Sequence, residues 1–383
     1  MTLPEPPLPT LSQLARALAS SQPSDSTAAE FWYGTASEAL AAAIQALVRS
    51  EDHERSECER DSAKQSGKGS ATVWFPAYFC NDALRFVRRL SIDLRFYDVR
   101  PDLGIDWEQL GQLTRAVARS SILVLVHYFG FPNQAETAAA FCRQRSIGLV
   151  EDAAHSLAKA PGIGIGSAVI FSPRKLLPVP KGGLLLAHER IKRFVPQPLA
   201  GDESADIWSW AARRLVQRSL TKTGVPWHFL SAYRHPPFIE PVVPTKEGLT
   251  ACNPYIRRLI AVAERDLPEI TTRRRAHYLQ LLNLCEGSRE IKPMYPDLPQ
   301  GVCPYVFPVL LKNDVQRWVD FLRGKGIPAS RWPDLPPEVR ESQVFPETAN
   351  LAEHTVLLPI HQSLTTAQVD KMGSVLTNCS GGL

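Results

Sequence analysis

The chain has 383 residues, a length that can bury a large hydrophobic core and that predicts roughly two domains. Hydrophobic residues make up 44% of the sequence and charged residues 21%, as is usual for a soluble globular protein. The net charge is only +4 and the basic residues are spread along the chain, so the sequence does not indicate a nucleic-acid-binding protein.

The cysteines and the apolar runs narrow the class of protein further. The seven cysteines are an odd number without CxxC spacing, which predicts reduced thiols and no metal site. The first residues lack the basic segment and apolar core of a signal peptide, and no apolar run is long enough to span a membrane. We therefore predict a cytoplasmic protein that does not associate with membranes.

The N-terminal region contains an amphipathic pattern and a candidate phosphate site. Gly34 and Thr35 precede an Ala/Leu-rich helix that we expect to end near Val48. Such a helix start can hold a phosphate through backbone N–H groups and a hydroxyl, although it more often serves only as a cap. Residues 49–70 are charged and poor in apolar side chains, which predicts a mobile surface insertion. Residues 1–30 predict a surface arm with one apolar face, formed by Leu11, Leu14, Ala15 and Leu18.

Strands and helices alternate through the next part of the chain. This alternation is typical of an α/β protein with a mainly parallel sheet that is flanked by helices. A further helix is predicted at 205–219, among proline-rich and aromatic loops. The alternating strands are predicted at 72–75, 93–99, 121–127, 148–150, 167–171 and 184–187, and the helices between them at 81–90, 105–113 and 135–145.

The C-terminal part has an α/β pattern of its own, which begins with a long helix from about Tyr255 to Leu284. The run Arg273–Arg275 is interpreted as a solvated face of that helix. Further strands are predicted at 305–311, 326–328 and 354–358, and further helices at 315–324 and 365–376. We divide the chain into an arm (1–30), a large α/β domain (31–250) and a smaller C-terminal α/β domain (251–383).

The chemistry is concentrated between residues 149 and 187. Asp152 follows a short apolar strand, and open α/β sheets bind ligands at the carboxyl ends of their strands. Lys175 follows the next strand and is flanked by apolar residues. An amine in such surroundings is partly desolvated, which lowers its pKa and favours Schiff-base chemistry. Glu151 is a rival for the carboxylate, and Lys181 is a rival for the amine.

Three motifs in this stretch resemble the site of a known family. Glu-Asp-Ala-Ala-His at 151–155, Phe-Ser-Pro-Arg-Lys at 171–175 and Gly-Gly at 182–183 are similar in order to the pyridoxal 5'-phosphate (PLP) site of the DegT/DnrJ-type sugar aminotransferases. LPIHQSLT at 358–365 is similar to the C-terminal signature of that family. The resemblance covers most of the chain and implies fold type I of the aspartate aminotransferase superfamily.

The resemblance also implies a reaction and its partners. The cofactor would be PLP, and an amino acid such as glutamate would donate an amino group to the keto group of a nucleotide-linked sugar. In the resembled family two subunits complete each site, so the resemblance implies a homodimer. Its biological setting would be sugar or polysaccharide biosynthesis.

Individual residues acquire roles from the same resemblance. Lys175 would hold the PLP aldehyde and shuttle a proton, and Asp152 would keep the pyridine nitrogen protonated. His155 would lie near the ring hydroxyl. The other expected contacts are Gly34, Thr35 and Ser172 for the phosphate and Phe79 for the face of the ring, with Tyr78 and Cys80 as alternatives to Phe79.

The sequence departs from the family at three places. Tyr33 stands where a serine is usual, Ser172 and Lys175 are closer together by two residues, and Lys181 replaces an acidic or polar residue. Two alternatives therefore stay open: another PLP-dependent reaction, such as elimination or dehydration, or a degenerate regulatory protein without catalysis. Lys175 argues against the dehydratase branch, which lacks this lysine, and the missing GxGxxG motif argues against a nucleotide-binding Rossmann enzyme.

Overall fold

The computed structural model of the protein describes residues 3–4, 6–20, 30–59, 71–115, 121–156, 160–200, 204–223, 248–288, 290–312, 315–332 and 334–378. None of the helices in these ranges is long and apolar enough to cross a membrane. The strands are β1 (Glu30–Tyr33), β2 (Ala71–Pro76), β3 (Ile92–Tyr97), β4 (Ser121–Val126), β5 (Gly148–Asp152), β6 (Ala168–Phe171), β7 (Gly183–Ala187), β8 (Ile291–Pro293), β9 (Val306–Leu311), β10 (Ser330–Arg331) and β11 (Thr355–Pro359).

The helices are α1 (Leu11–Ala19), α2 (Ala36–Glu59), α3 (Trp107–Arg115), α4 (Ala135–Arg145), α5 (Pro173–Leu176), α6 (Glu189–Lys192), α7 (Ser204–Thr223), α8 (Pro254–Glu264), α9 (Leu267–Leu284), α10 (Val315–Gly324), α11 (Pro337–Arg340), α12 (Pro346–His354) and α13 (Thr366–Asn378).

Seven of the described strands form the larger sheet, in the order β1-β7-β6-β5-β4-β2-β3. The pairs from β3 through β2, β4 and β5 to β6 are parallel, and β7 runs antiparallel to β6 and β1. Both faces are covered, because Val73 and Phe75 of β2 pack into one hydrophobic cluster and Trp74 between them into another. The predicted mainly parallel sheet with flanking helices is confirmed.

A smaller antiparallel sheet follows in the C-terminal part, in the order β10-β11-β9-β8. Its buried side chains Phe307, Val309 and Leu358 belong to the same hydrophobic cluster as Val73 and Phe75 of the larger sheet. The two sheets therefore share one core.

Several elements differ from their sequence predictions. The helix predicted to end near Val48 continues to the end of α2, through the first half of the predicted insertion, whereas residues 60–70 lie outside the described residues. The long helix predicted from Tyr255 is divided into α8 and α9, because Pro268 lacks an N–H group and begins a new helix in its first turn. The helix predicted at 81–90 is two short 3₁₀ turns, and the loops at 224–247 lie outside the described residues.

The N-terminal arm packs a face different from the predicted one. Leu14 is buried, but Leu11 and Leu18 are 70% and 54% exposed. The side-chain amide of Gln13 donates a hydrogen bond of 2.9 Å to Asp266, and this contact turns the Gln13 face of α1 toward the protein. The packed face therefore combines this polar contact with the buried apolar side chains of Leu14 and Ala17.

Candidate active site

The central strands of the larger sheet end at a cavity. Asp152 is the last residue of β5, and Lys175 lies in α5, the single turn that follows β6. The cavity is also bounded by the first turn of α2, by the segment after β2 and by Trp332 from the C-terminal part. The predicted site residues that line it are Thr35, Phe79, Asp152, His155, Ser172 and Lys175.

The amine of Lys175 is partly desolvated. Burial and the positive charge of Arg174 lower its pKa from 10.5 to about 8, while the charge of Asp152 acts in the opposite direction. The amine lies 5.7 Å from the centre of the Tyr305 ring. An amine with this pKa is partly unprotonated near neutral pH, which is the form that attacks a carbonyl carbon.

Asp152 is buried beside the cavity. One of its carboxylate oxygens accepts a hydrogen bond of 2.9 Å from the backbone N–H of Ala154. Burial raises the pKa of the carboxyl group, although the positive charge of Lys175 and the Ala154 N–H lower it. A cation placed against this carboxylate would be strongly favoured, because it would compensate a buried negative charge.

His155 is held as a neutral ring between two aromatic side chains. It is stacked on Phe129, with 5.7 Å between the ring centres and 4° between the planes, and on Tyr305, with 4.9 Å and 13°. Its Nδ1 atom accepts a hydrogen bond of 3.1 Å from the backbone N–H of Phe129, and burial holds its pKa well below the ordinary value. The proton of the neutral ring is therefore on Nε2, which makes His155 a hydrogen-bond donor at the cavity.

Glu151, the rival carboxylate, serves a different purpose. It lies next to Asp152 on a strand and so points to the opposite face of the sheet. Its oxygens accept hydrogen bonds from Nε2 of His127 at 2.8 Å and from the N–H groups of Gly164, Ile165 and Gly166. Burial raises its pKa, but these hydrogen bonds lower it overall. Glu151 therefore fixes the loop at 164–166 and the ring of His127.

Lys181, the rival amine, is not among the residues that line the cavity. Its charge acts elsewhere: burial raises the pKa of the Cys252 thiol, and the charges of Arg257 and Lys181 lower it. The structure thus places Lys175, and not Lys181, beside Asp152 and His155.

The first turn of α2 meets the cavity, but not through the predicted glycine. The N–H of Gly34 donates a hydrogen bond of 2.8 Å to the carbonyl of Thr250. Thr35, Ala36 and Ser37 line the cavity instead. The first N–H groups of a helix have no partner inside the helix, so this turn can bind a phosphate. Our sequence reasoning missed Ser37, although a hydroxyl residue in the first turn of the predicted helix was the available signal.

The hydroxyl of Thr35 is already used as a donor. It donates a hydrogen bond of 2.8 Å to Glu38, a buried carboxylate that also accepts bonds from the N–H and hydroxyl of Thr250. Since a hydroxyl carries a single proton, Thr35 has none left for a phosphate oxygen. The other hydroxyl groups that line the cavity belong to Ser37 and Ser172.

The three candidates for the ring-stacking residue are separated by the structure. Tyr78 is buried and stacks on Trp332, with 4.4 Å between ring centres and 22° between planes, and it is not among the lining residues. Phe79 and Cys80 both line the cavity, as does Trp332. The predicted Phe79 therefore remains the aromatic candidate from this loop, and Trp332 is an aromatic lining residue that the sequence prediction did not include.

The arginine run of α9 is not the solvated face that its sequence suggested. Arg274 has no exposed surface, and all of its hydrogen bonds are to backbone carbonyls and one amide side chain. Two of the carbonyls belong to Lys175 and Leu176. The prediction was wrong because three successive arginines point in different directions around a helix, so that they cannot all share one environment.

Comparison with known proteins places this site in context. No family model matches the chain. One curated relative, the dTDP-4-dehydro-2,3,6-trideoxy-D-glucose 4-aminotransferase of Saccharopolyspora spinosa, is 28% identical over 276 residues. The match covers 68% of this chain and 66% of the relative, slightly less than two thirds of its length.

Solved structures match over nearly the whole chain. The aminotransferase TlmJ of Streptoalloteichus hindustanus superposes with a TM-score of 0.69 and 19% identity, covering 99% of this chain and 98% of its own. A DegT DnrJ EryC1 StrS aminotransferase of Brucella abortus gives a TM-score of 0.64 and 15% identity, with 97% and 95% covered. The chain thus has the fold of DegT/DnrJ-type aminotransferases, as the resemblance of its motifs predicted.

Proposed function

We propose that the protein is a PLP-dependent aminotransferase that transfers an amino group from an amino acid, such as glutamate, to a keto sugar linked to a nucleotide. The observation that carries the proposal is the placement of Lys175, Asp152 and His155 around one cavity at the carboxyl ends of the parallel strands. The relative from S. spinosa is a 4-aminotransferase whose name gives a dTDP-linked dehydro sugar, which supports this class of substrate.

The residues at the cavity fit PLP in each of its parts. Lys175 can hold the aldehyde, Asp152 can pair with a protonated ring nitrogen, and His155 can donate through Nε2 to the ring hydroxyl. The first turn of α2, with Ser37, and the hydroxyl of Ser172 can hold the phosphate. When bound, PLP supplies an electron-accepting ring next to the reacting carbon.

The chain itself then has to move a proton and hold charge. Lys175, with its pKa of about 8, can take the proton from the donor's α-carbon onto Nζ and would pass it to the carbon that carried the cofactor's aldehyde group. Asp152 would pair its buried carboxylate with a protonated ring nitrogen, and burial strengthens such a pairing. Tyr305 and Phe129 prevent His155 from turning, so its donor nitrogen keeps one direction.

Two of the three departures from the family pattern are compatible with this proposal. The hydroxyl of Tyr33, which stands where a serine is usual, donates a hydrogen bond of 2.6 Å to the carbonyl of Pro196 and is therefore engaged away from the first turn of α2. The shorter spacing between Ser172 and Lys175 still leaves both residues at the cavity. These positions therefore do not favour the degenerate, non-catalytic alternative.

The proposal is tested by adding PLP to the purified protein and recording its visible spectrum before and after borohydride reduction. We expect a band that borohydride removes, with the modified lysine mapped to Lys175 by mass spectrometry. Lys175→Ala should abolish trapping, and Lys181→Ala should retain it. Trapping that survives Lys175→Ala and disappears in Lys181→Ala would overturn the assignment.

A second step tests the substrates. Glutamate should convert the band of the loaded enzyme, and a dTDP-linked keto sugar should restore it, because transamination consists of two half-reactions. If glutamate fails but another amino acid succeeds, the donor assignment alone is wrong. If no amino acid changes the band, the transaminase proposal falls.

We further propose that the enzyme is cytoplasmic, forms a homodimer and serves sugar or polysaccharide biosynthesis, as the resembled family implies. Light scattering of the loaded protein during gel filtration would measure its mass. A mass of about 85 kDa, twice the 42.5 kDa of one chain, is the expected result; a mass of one chain would contradict the homodimer.

A further inference from the structure

A buried guanidinium group joins the turn that carries Lys175 to the C-terminal part of the chain. Arg274, in α9, donates hydrogen bonds to the carbonyls of Lys175 and Leu176 at 3.5 and 3.2 Å. Its other N–H groups reach the carbonyl of Tyr305 at 2.8 Å and the side chain of Gln362 at 3.0 Å. Gln362 in turn donates to the carbonyl of Leu176 at 3.0 Å.

The residues that Arg274 contacts are close to the proposed chemistry. Tyr305, whose carbonyl accepts from the guanidinium, has its ring 5.7 Å from the amine of Lys175. The same ring is stacked on His155 at 4.9 Å. One side chain therefore holds the backbone beneath Lys175 and also the aromatic residue that lies against its amine and against His155.

Packing alone does not explain this arrangement. A fully buried guanidinium loses its hydration, and burial lowers the pKa of Arg274 without an opposing carboxylate among the described residues. Its N–H groups are satisfied by neutral carbonyl and amide oxygens in a fixed fork geometry, which only arginine provides. An apolar side chain of similar length would fill the space but would leave the carbonyls of Lys175, Leu176 and Tyr305 without these donors.

We propose that Arg274 is a positioning residue for Lys175: by fixing the carbonyls of α5 it keeps the amine in its desolvated place beside Tyr305. The inference rests on the proposed function, since Lys175 is taken as the amine that reacts with PLP. Under this proposal α9 influences the reactivity of the site, although none of its residues lines the cavity.

The test measures the pKa of the Lys175 amine in variants. Competitive labelling with acetic anhydride in the absence of PLP, followed by mass spectrometry, gives the pH midpoint of Lys175 reactivity. In Arg274→Met we expect this midpoint to rise by about one pH unit, because a loosened α5 lets water reach the amine. The rate of PLP capture on Lys175 at pH 7 should fall roughly tenfold with it, because only the unprotonated amine reacts.

A neighbouring residue offers a matched control. Arg275 also donates to backbone carbonyls, those of Pro299 and Val302 at 2.7 and 2.8 Å, and these bonds lie away from α5. Arg275→Met should therefore leave the midpoint unchanged even if it lowers stability. Gln362→Met, which removes one partner of Arg274 and one donor to Leu176, should shift the midpoint in the same direction by a smaller amount.

The outcomes separate this inference from the proposed function. If Arg274→Met and Gln362→Met both keep the parental midpoint, Arg274 has a structural role only and the inference is overturned. If Arg274→Met does not fold, the midpoint of Gln362→Met decides: a raised midpoint supports the inference and an unchanged midpoint overturns it. Arg274→Lys should then partly restore folding. A parent protein that captures no PLP would refute the proposed function, whereas the labelling midpoints would still report on α5.

Discussion

Neighbouring residues in this site differ sharply in what their environment lets them do. Glu151 and Asp152 are adjacent on β5, yet the first is saturated by His127 and three backbone N–H groups while the second faces the cavity and Lys175. The sequence alone predicted the pair of carboxylates, and the strand alternation separates their roles. The resemblance of the motifs favoured Asp152, and the fold gives the physical reason: the face of β5 that carries Asp152 is open to the cavity.

Exchanging each carboxylate for its amide should give two different results. Asp152→Asn is expected to retain PLP on Lys175 but to slow the reaction with glutamate by roughly 10²-fold, because a buried compensating charge is lost. Glu151→Gln is expected to lower the free energy of unfolding by roughly 2 kcal/mol and to leave that rate nearly unchanged. Stopped-flow absorbance and urea denaturation measure the two quantities. A slow Glu151→Gln enzyme with normal stability would contradict these assignments.

The lowered pKa of Lys175 should also affect the stability of the protein without cofactor. Its folded pKa is about 8 and its ordinary value is 10.5, so between these values the unfolded chain binds more protons at this site. The contribution of Lys175 to the free energy of unfolding therefore rises with pH between these two pKa values, with a slope of at most about 1.4 kcal/mol per pH unit. The difference in unfolding free energy between the parent and Lys175→Met, measured at pH 7 to 10, isolates this contribution. Lys181→Met serves as control, and an identical pH dependence of the parent and Lys175→Met would be inconsistent with a lowered pKa.

At the scale of elements, the strongly apolar strands could be predicted from the sequence, whereas the other strands and the direction in which strands pair were less predictable. The runs that became β2, β4 and β6 were found from sequence because both faces are buried. β1 was missed, because its few apolar residues lead directly into a helix and no alternation marks a strand. The antiparallel direction of β7 could not be read from sequence either, since it depends on where the connection between β6 and β7 returns. For α8 and α9, Pro268 was visible, but the pattern of apolar residues continued across it.

The first turn of α2 can be tested as a phosphate-binding element. Ser37→Ala should weaken PLP binding roughly tenfold, the equivalent of about 1.4 kcal/mol, because one hydrogen bond to a charged oxygen is lost. Binding of pyridoxal, which lacks the phosphate, should not change, and this ligand is the internal control. Spectroscopic titration of the two ligands gives both constants. If both weaken equally, Ser37 affects the shape of the cavity and not the phosphate.

The whole molecule is held together across its two sheets by polar contacts as well as by the shared core. Asp98 follows β3 of the larger sheet, and its carboxylate accepts bonds from the N–H of Glu347 at 3.1 Å and from the N–H and hydroxyl of Thr348 at 3.0 and 2.7 Å. It thus caps the first turn of α12 from a distant part of the chain. The boundary near residue 250 stays a prediction, but any motion between the two parts would have to break such contacts.

Removing this cap should loosen the C-terminal part. Asp98→Ala is expected to lower the free energy of unfolding by roughly 1–2 kcal/mol and to speed hydrogen exchange in α12. Asp106→Ala is the matched control, because Asp106 caps α3 through Glu108 and Gln109 within its own segment, at 3.0 Å each. Equal acceleration of α12 exchange in both variants would show that Asp98 does not connect the two parts.

The long-range bonds to α5 have a consequence for biosynthesis. The ribosome makes the chain from its first residue, and the guanidinium of Arg274 is added 99 residues after Lys175. The side chain of Gln362 comes 186 residues after Leu176. A nascent chain can therefore complete the central parallel strands while the turn that carries its reactive lysine still lacks both donors. We expect cofactor loading to follow the synthesis of residue 362, and a chain that terminates before this residue to hold its lysine less firmly in place.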